Sequence, residues 1–290
     1  MARLPQVILT VSDLSAAAAF YRDRLGFGLQ RYDARAGLAE VTGPGSTPLI
    51  LATAEADLGD LTQVPRAARG AVVYLQRPDL PELAQRLRQK GLTFQGPEEP
   101  YPGFRHLLVR DPDGYLVTFW EPVSLPDDEI LRIYQEGPAR LRAAVEGLPD
   151  DLLDQPWAPG KWTLRQLVHH ITDADLGTFE VLRIALALPG KQIQTNTWNP
   201  DDWMAGLQCH RRPVEPALAL LEAARAWVLD AVAHLPDALD RTVCWPSGYR
   251  ASVRDLLRQV GGHALHHILQ IETALGRFRA EGCGSGQQGM

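Results

Sequence analysis

Cysteine is scarce in this chain, and the few cysteines present exclude a disulfide framework. The 290 residues contain three of them, an odd number at wide spacing and without a CxxC pair: Cys209, Cys244 and Cys283. Small disulfide-stabilised proteins carry even numbers of closely spaced cysteines and come from oxidising compartments. We therefore expect reduced thiols and a cytoplasmic protein.

Signals for a membrane or a nucleic acid are missing as well. The sequence has no uncharged apolar run of membrane-spanning length, and its first residues lack the charged, apolar and small-residue segments of a signal peptide. Its formal net charge is −6, and the basic residues are scattered instead of forming the positive face that phosphate binding requires. We expect no membrane and no nucleic-acid partner.

The first 122 residues alternate between strand and helix patterns, and the alternation occurs twice. Asp13-Leu14 precedes the first predicted helix and Asp79-Leu80 precedes the second. Each helix is followed by a glycine and then by strand-like segments. This repeated β-α-β-β-β unit predicts an α+β domain over residues 1–122.

From about Asp127 the apolar residues recur with the 3.6-residue period of a helix. Thr163 and Gln166 form a capping box that opens the second helix. The periodicity predicts four long helices, at about 127–146, 163–188, 214–234 and 252–278. Such helices favour an all-α four-helix bundle, which we place at residues 123–278. We expect the Gly/Ser/Gln-rich tail, residues 279–290, to be disordered.

Histidine is also rare, and its distribution is the strongest functional signal. Five of the eight histidines fall in two short segments, His169-His170 and His263-Ala-Leu-His266-His267. Residues four apart project from one helix face, and His170 lies on an apolar stripe from which His169 is turned by about 100°. Neutral imidazoles from two helices suit a divalent transition metal, so we predict the ligands His170, His263 and His267. Hydrogen-bonded core histidines are the structural alternative, and His266 is a substitute ligand.

Two polar residues, each about one turn beyond a predicted ligand, are candidates to support it. Asp173 follows His170, and Gln270 follows His267. A hydrogen-bond acceptor beside a metal-bound imidazole fixes its tautomer and raises its basicity. A solvated helix acid is the alternative interpretation of Asp173.

Two motifs mark the beginning and the end of the N-terminal part. They are Val11-Ser12-Asp13-Leu14 with the following Phe20-Tyr21-Arg22, and Arg110-Asp111-Pro112-Asp113-Gly114-Tyr115. Together they resemble the vicinal oxygen chelate family, which includes glyoxalase I and the bleomycin-resistance proteins, over about residues 4–122. The resemblance implies paired units that form a cupped sheet.

Catalytic members of that family hold a metal at three strand positions, which the resemblance places on Gln6, on about Val72 and on Thr118. Valine and threonine do not replace histidine or a carboxylate around a divalent cation, so we expect that this domain has lost its metal. The cup would then bind an apolar or aromatic ligand, or form a dimer. Its candidate lining residues are Trp120, Phe104, Tyr101 and Tyr74, and packing of these rings in the core is the alternative.

The histidine segments belong to longer motifs. They are Gly160-Lys161-Trp162-Thr163-Leu164-Arg165-Gln166-Leu167-Val168-His169-His170-Ile171-Thr172-Asp173 and Gly262-His263-Ala264-Leu265-His266-His267-Ile268. These resemble the second and fourth helices of the DinB-like superfamily, in the branch of metal-dependent hydrolase-like proteins and bacillithiol S-transferases, over about residues 126–277. The resemblance places the ligands on the same three histidines and implies that residues 196–203 cap the site.

A three-histidine centre with an open coordination position is typical of catalytic zinc. Combined with the resemblance, it implies a metal-dependent transferase that presents a low-molecular-weight thiol to electrophilic small molecules, a detoxification reaction with zinc or nickel as the metal. One alternative is a hydrolase that uses metal-bound hydroxide. Another is a non-enzymatic protein that binds drugs in the N-terminal cup. Both families commonly pair, so a homodimer is a further expectation.

Overall fold

The computed structural model describes residues 7–44, 48–194, 199–246 and 249–284. The chain forms two compact units, Met1–Ser124 and Leu125–Met290, here called the N-terminal unit and the C-terminal unit. The domain boundary that the sequence predicts at residue 122 lies beside the observed one.

The N-terminal unit consists of two β-α-β-β-β modules. The first contains β1 (Val7–Thr10), α1 (Leu14–Ala19), β2 (Gly28–Asp33), β3 (Leu38–Thr42) and β4 (Leu49–Ala52). The second contains β5 (Val72–Gln76), α2 (Leu80–Gln89), β6 (Phe94–Tyr101), β7 (Phe104–Arg110) and β8 (Leu116–Pro122). Each module forms a four-stranded sheet, in the orders β1-β4-β3-β2 and β5-β8-β7-β6, and its first strand lies parallel to its last. The predicted repeat and the α+β class are confirmed.

Two local features of this unit differ from the sequence pattern. The helix α1 ends at Ala19, and a π-helical turn, Phe20–Arg24, follows where the sequence predicts more α-helix. The pattern does not predict β6, because Gly96, Pro97 and Pro100 interrupt it. This strand lies at the edge of its sheet, where proline is tolerated because no neighbour requires the missing N–H.

Side chains alternate between the two faces of the second sheet, as strand geometry requires. Val73 and Leu75 of β5 are buried in a core that also contains apolar residues of α1 and α2. Val72 and Tyr74 point the opposite way and are 47% and 59% exposed. The second sheet therefore keeps one face open, and we call it the open face.

The C-terminal unit contains the predicted helical bundle. Its helices are α3 (Asp127–Val145), α4 (Asp150–Leu153), α5 (Leu164–Ala187), α6 (Pro200–Gly206), α7 (Glu215–His234) and α8 (Val253–Gly284), and a hairpin of β9 (Thr242–Cys244) and β10 (Arg250–Ser252) precedes the last. The four long ones, α3, α5, α7 and α8, begin and end close to the predicted positions, except at the end of the chain. There α8 continues to Gly284, so residues 279–284 are helical, not part of a disordered tail. Residues 285–290 lie outside the described residues.

A capping box fixes the start of α5, and core packing places α5 against α8. Thr163 accepts from the backbone N–H of Gln166, and the Gln166 side chain accepts from the backbone N–H of Thr163, as the predicted capping box requires. Leu167 of α5 and Ile271 of α8 belong to the same buried cluster. Two long helices therefore face each other along their apolar stripes, and the histidines lie within these helices.

A buried ion pair fixes α7 against its neighbours. The Arg225 guanidinium donates to both carboxylate oxygens of Asp175, each at 2.8 Å, and to the Tyr134 carbonyl at 2.8 Å. The two charged side chains are 1% and 3% exposed. A Cβ on Gly137 would lie 2.5 Å from Arg225 Nη1, so glycine leaves room for the guanidinium.

In the part of the chain that is described, no helix combines the length and apolarity needed to span a bilayer.

Candidate metal centre

Helices α5 and α8 bring the three predicted histidines together. The Nε2 atom of His263 lies 3.1 Å from His170 Nε2 and 3.2 Å from His267 Nε2. One nitrogen from each ring can be chosen so that all three lie within 4.8 Å of one another. Among the described residues this is the one group of histidine, cysteine and acidic side chains with the spacing of a metal site. We call it the histidine trio.

The spacing of the trio fits a first-row transition metal. Zinc–nitrogen bonds of about 2.0–2.1 Å at tetrahedral angles place neighbouring nitrogens about 3.3 Å apart. The two measured separations, 3.1 and 3.2 Å, are close to that value. Without a shared proton or a cation, lone pairs of neutral imidazoles at this distance repel each other. The donor set and its spacing therefore suit zinc or nickel.

Burial keeps the trio in the protonation state that binds metal. Removal from water lowers the pKa of His170 to about 4 and that of His267 to about 3. The pKa of His263 lies well below its ordinary value, first because of burial and then because of its two imidazole neighbours. All three rings are therefore neutral at pH 7 and retain a nitrogen lone pair for a ligand bond.

Gln270 contacts the trio, as the sequence predicts. Its Oε1 lies 2.7 Å from His267 Nδ1, and its Nε2 lies 3.0 Å from His266 Nε2. His266, the predicted substitute ligand, therefore contacts the supporting amide and is not part of the trio. His169 is buried, and its Nε2 lies 3.3 Å from the Arg212 carbonyl oxygen. His169 is therefore buried like His170, although it is not part of the trio.

Asp173, the other predicted support, is partly buried beside one charged neighbour. The charged group that acts on it is Arg212, and burial raises the pKa of its carboxyl. Its Oδ2 is buried and has no hydrogen-bond partner among the described residues. The described contacts do not join Asp173 to His170, so its supporting role stays a prediction.

A tryptophan and a second carboxylate lie on the His170 side of the trio. The Trp162 ring centroid lies 4.7 Å from that of His170, and its Nε1–H donates to Asp201 Oδ1 at 3.0 Å. The Asp201 charge acts on His170 in the direction that raises its pKa. Both residues belong to predicted motifs, but helical periodicity gives no signal for their contact. Of the segment predicted to cap the site, residues 196–198 lie outside the described residues, and the rest begins α6.

The open face of the N-terminal unit has a different character. Thr118, on which the resemblance places a metal position, is 3% exposed, and its Oγ1 has no hydrogen-bond partner among the described residues. The Phe104 ring stacks on Tyr101 at 5.0 Å and on Trp120 at 5.8 Å, with interplanar angles of 15° and 16°. Tyr74 pairs with Thr118 across the two strands. The third family position, residue 6, lies outside the described part of the chain.

Comparisons with known proteins match each unit separately. A family model of the DinB superfamily matches residues 133–271, and one of the glyoxalase/bleomycin resistance protein/dioxygenase superfamily matches residues 3–119. A proposed metal-dependent hydrolase from Geobacillus thermodenitrificans is 30% identical over 168 residues, 56% of this chain and 93% of that protein. One from Bacillus mycoides is 26% identical over 160 residues, 55% of this chain and 89% of the relative.

One similar solved structure is that of Bacillus subtilis YfiT, described as a proposed metal-dependent hydrolase with an unusual four-helix bundle topology. Its TM-score is 0.48 at 24% sequence identity, and the match covers 53% of this chain and 90% of the YfiT chain. The family models and the Geobacillus relative assign the two units. The chain therefore belongs to the DinB superfamily through its C-terminal unit, and its N-terminal unit is a domain of the glyoxalase/bleomycin resistance protein/dioxygenase superfamily.

Proposed function

We propose that the C-terminal unit is a metal-dependent enzyme that acts on electrophilic small molecules through a divalent cation bound by His170, His263 and His267. The observation that carries this proposal is the convergence of three Nε2 atoms, with separations of 3.1 and 3.2 Å around His263. Three protein ligands leave a coordination position for a reactant, as in catalytic zinc sites. The description of two relatives as proposed metal-dependent hydrolases supports it.

The bound cation and the residues beside the trio have separate roles in the proposed reaction. A bound divalent cation lowers the pKa of a coordinated water to about 7 and deprotonates a coordinated thiol. Trp162 covers the His170 ring and holds Asp201 by a hydrogen bond. We assign to the Asp201 carboxylate the acceptance of the proton that the reacting nucleophile releases, because Trp162, which packs on the His170 ring, holds it on that side of the trio.

The nucleophile is the finer part of the proposal. We favour a low-molecular-weight thiol, which makes the protein a thiol S-transferase, on the resemblance of its histidine motifs to the bacillithiol S-transferase branch. Water as nucleophile makes it a hydrolase, and the description of its relatives supports that alternative equally. Both reactions need the same cation and the same open position.

One assay separates the two reactions. Metal-loaded protein would be incubated with a panel of epoxides, alkyl halides and esters, with and without bacillithiol, mycothiol or cysteine. Equimolar loss of thiol and electrophile identifies the transferase, whereas turnover without thiol identifies the hydrolase. A fully metal-loaded protein that turns over no member of the panel under either condition would overturn the enzymatic proposal.

A second function is proposed for the N-terminal unit: its open face binds planar apolar compounds. The observation that favours it is the stack of Tyr101, Phe104 and Trp120, which presents ring surfaces beside the buried hydroxyl of Thr118, a group without a described partner. Calorimetric titration with a panel of planar aromatic drugs would test it, in metal-free protein so that the trio does not contribute. The absence of binding to any of them would contradict this function and leave the metal centre untouched.

A further inference from the structure

Gln270 lies between two histidines of α8 and contacts a ring nitrogen of each. Its Oε1 is 2.7 Å from His267 Nδ1, and its Nε2 is 3.0 Å from His266 Nε2. The residues occupy positions 266, 267 and 270 of one helix, so the amide reaches both rings within a single turn. These two contacts determine which nitrogen of each imidazole carries the proton.

The donor and acceptor rules allow only one assignment for the observed orientation. An amide oxygen accepts and an amide nitrogen donates, whereas a neutral imidazole has one nitrogen of each kind. With Oε1 facing His267, the Nδ1 of His267 carries the proton and its Nε2 carries the lone pair. With the amide N–H facing His266, the Nε2 of His266 accepts and its proton lies on Nδ1. Both bonds then form at once.

We infer that Gln270 is a positioning residue that holds His267 in the tautomer able to bind a metal, and that His266 holds Gln270 in the required orientation. The inference rests on the proposed metal-dependent function. The Nε2 lone pair that this tautomer leaves free points towards the trio, 3.2 Å from His263 Nε2. A rotated amide would place its N–H against His267 Nδ1, move the ring proton to Nε2 and block the ligand atom.

His263, another ring of the trio, has no comparable support at its Nδ1. His263 Nδ1 is buried and has no hydrogen-bond partner among the described residues, so no such acceptor selects its tautomer. An amide also differs from the carboxylate that often supports a metal-bound histidine, because it accepts the N–H without adding negative charge. A carboxylate at position 270 would accept the same proton and raise the basicity of His267 further.

Long-range ¹⁵N–¹H correlation spectra of histidine-labelled, metal-free protein test the tautomer directly. We expect His267 as a single Nδ1–H tautomer in the wild type and as a mixture of tautomers in Gln270→Leu. Gln259→Leu, a change of an exposed glutamine on the same helix, should leave the His267 signals unchanged. An Nε2–H tautomer in the wild type would overturn the inference.

Chelator competition for zinc provides the second readout. By analogy with other outer-shell partners, Gln270→Leu should weaken zinc binding by about 10–100-fold, and Gln270→Glu should restore or exceed wild-type affinity. Equal zinc affinity in wild type and Gln270→Leu would contradict the positioning role. The two readouts separate the failures, because an Nδ1–H tautomer in a wild type that takes up no metal would refute the proposed function and leave the tautomer assignment standing.

Discussion

The two units place their functional side chains by different geometries. In the N-terminal unit, side chains at alternate positions of neighbouring strands share the open face, among them Val72 and Thr118, on which the resemblance places metal positions. In the C-terminal unit, a four-residue spacing on α8 and one histidine of α5 bring three imidazole nitrogens together. The first arrangement presents stacked rings on a sheet face, and the second brings three imidazole nitrogens to one point. We propose from this comparison that the N-terminal unit serves recognition and the C-terminal unit chemistry.

The largest expected effect concerns the stability of the C-terminal unit. Arg225→Ala removes one partner of a buried ion pair and leaves Asp175 buried without its counter-charge. We expect a loss of about 3–5 kcal/mol in the free energy of unfolding of this unit. Urea unfolding followed by separate probes of the two units measures it, with Arg183→Ala, an exposed cation of α5, as control. A decrease in unfolding free energy of less than about 1 kcal/mol would contradict the role of the buried pair. An equal decrease in the N-terminal unit would contradict the separate stability of the two units.

The next effect concerns turnover and tests which acid serves the metal centre. Asp201→Asn keeps a hydrogen-bond acceptor for Trp162 but removes the proton acceptor, so we expect about a 100-fold lower kcat with unchanged metal content. The neighbouring Asp202→Asn is the matched control, because Asp202 is also exposed in α6. Equal rates for the two variants would remove Asp201 from the mechanism.

A smaller effect is expected on the open face. Trp120→Ala removes one ring of the stack with Phe104, and a lost aromatic contact of about 1 kcal/mol corresponds to a decrease of roughly fivefold in affinity for a planar ligand. Calorimetry measures the affinity, and Tyr32→Ala, which removes an exposed ring on β2, serves as control. Metal content should remain that of the wild type. A variant that binds the ligand as tightly as the wild type would place the binding site elsewhere.

The smallest effect concerns an exposed ion pair, in contrast to the buried one. The hydrogen bond from Arg254 lowers the pKa of Asp127, and the two side chains are 34% and 46% exposed, so solvent screens the pair. Asp127→Asn should cost less than about 1 kcal/mol in unfolding free energy at pH 7. Because the folded-state pKa is lower than the unfolded value, this contribution exists above about pH 4 and is lost as the pH falls through the folded pKa. A cost that persists at pH 2 would contradict this explanation.

Much of the fold could be predicted because local patterns agree with the tertiary structure. The 3.6-residue period and the capping box of Thr163 gave the long helices, and the repeated Asp-Leu signals gave the two modules. The edge strand β6 could not be predicted, since Gly96 and Pro97 weaken its local signal and only pairing with β7 defines it. The extension of α8 was missed because the composition of the tail gives no helical signal of its own, whereas an existing helix can be extended by one hydrogen bond per added residue.

In the candidate site, local sequence patterns likewise predict some contacts and give no signal for others. The convergence of His170 with His267 was predictable, because each lies on an apolar stripe of a long helix. The bond between Trp162 and Asp201 joins residues 39 positions apart and depends on the path of the chain between α5 and α6, which no periodicity encodes. For Asp173, the sequence distance from His170 fits a support, but the described contacts do not join the two residues, so its supporting role stays a prediction.

Metal analysis of untagged protein tests the central claim most directly. After incubation with zinc or nickel and removal of the excess, plasma mass spectrometry should find about one ion per chain in the wild type, as three converging imidazoles require. His267→Ala should contain almost none while circular dichroism shows an intact bundle, and His234→Ala, a change of an exposed histidine on α7, should match the wild type. A full equivalent of metal in His267→Ala would contradict the account.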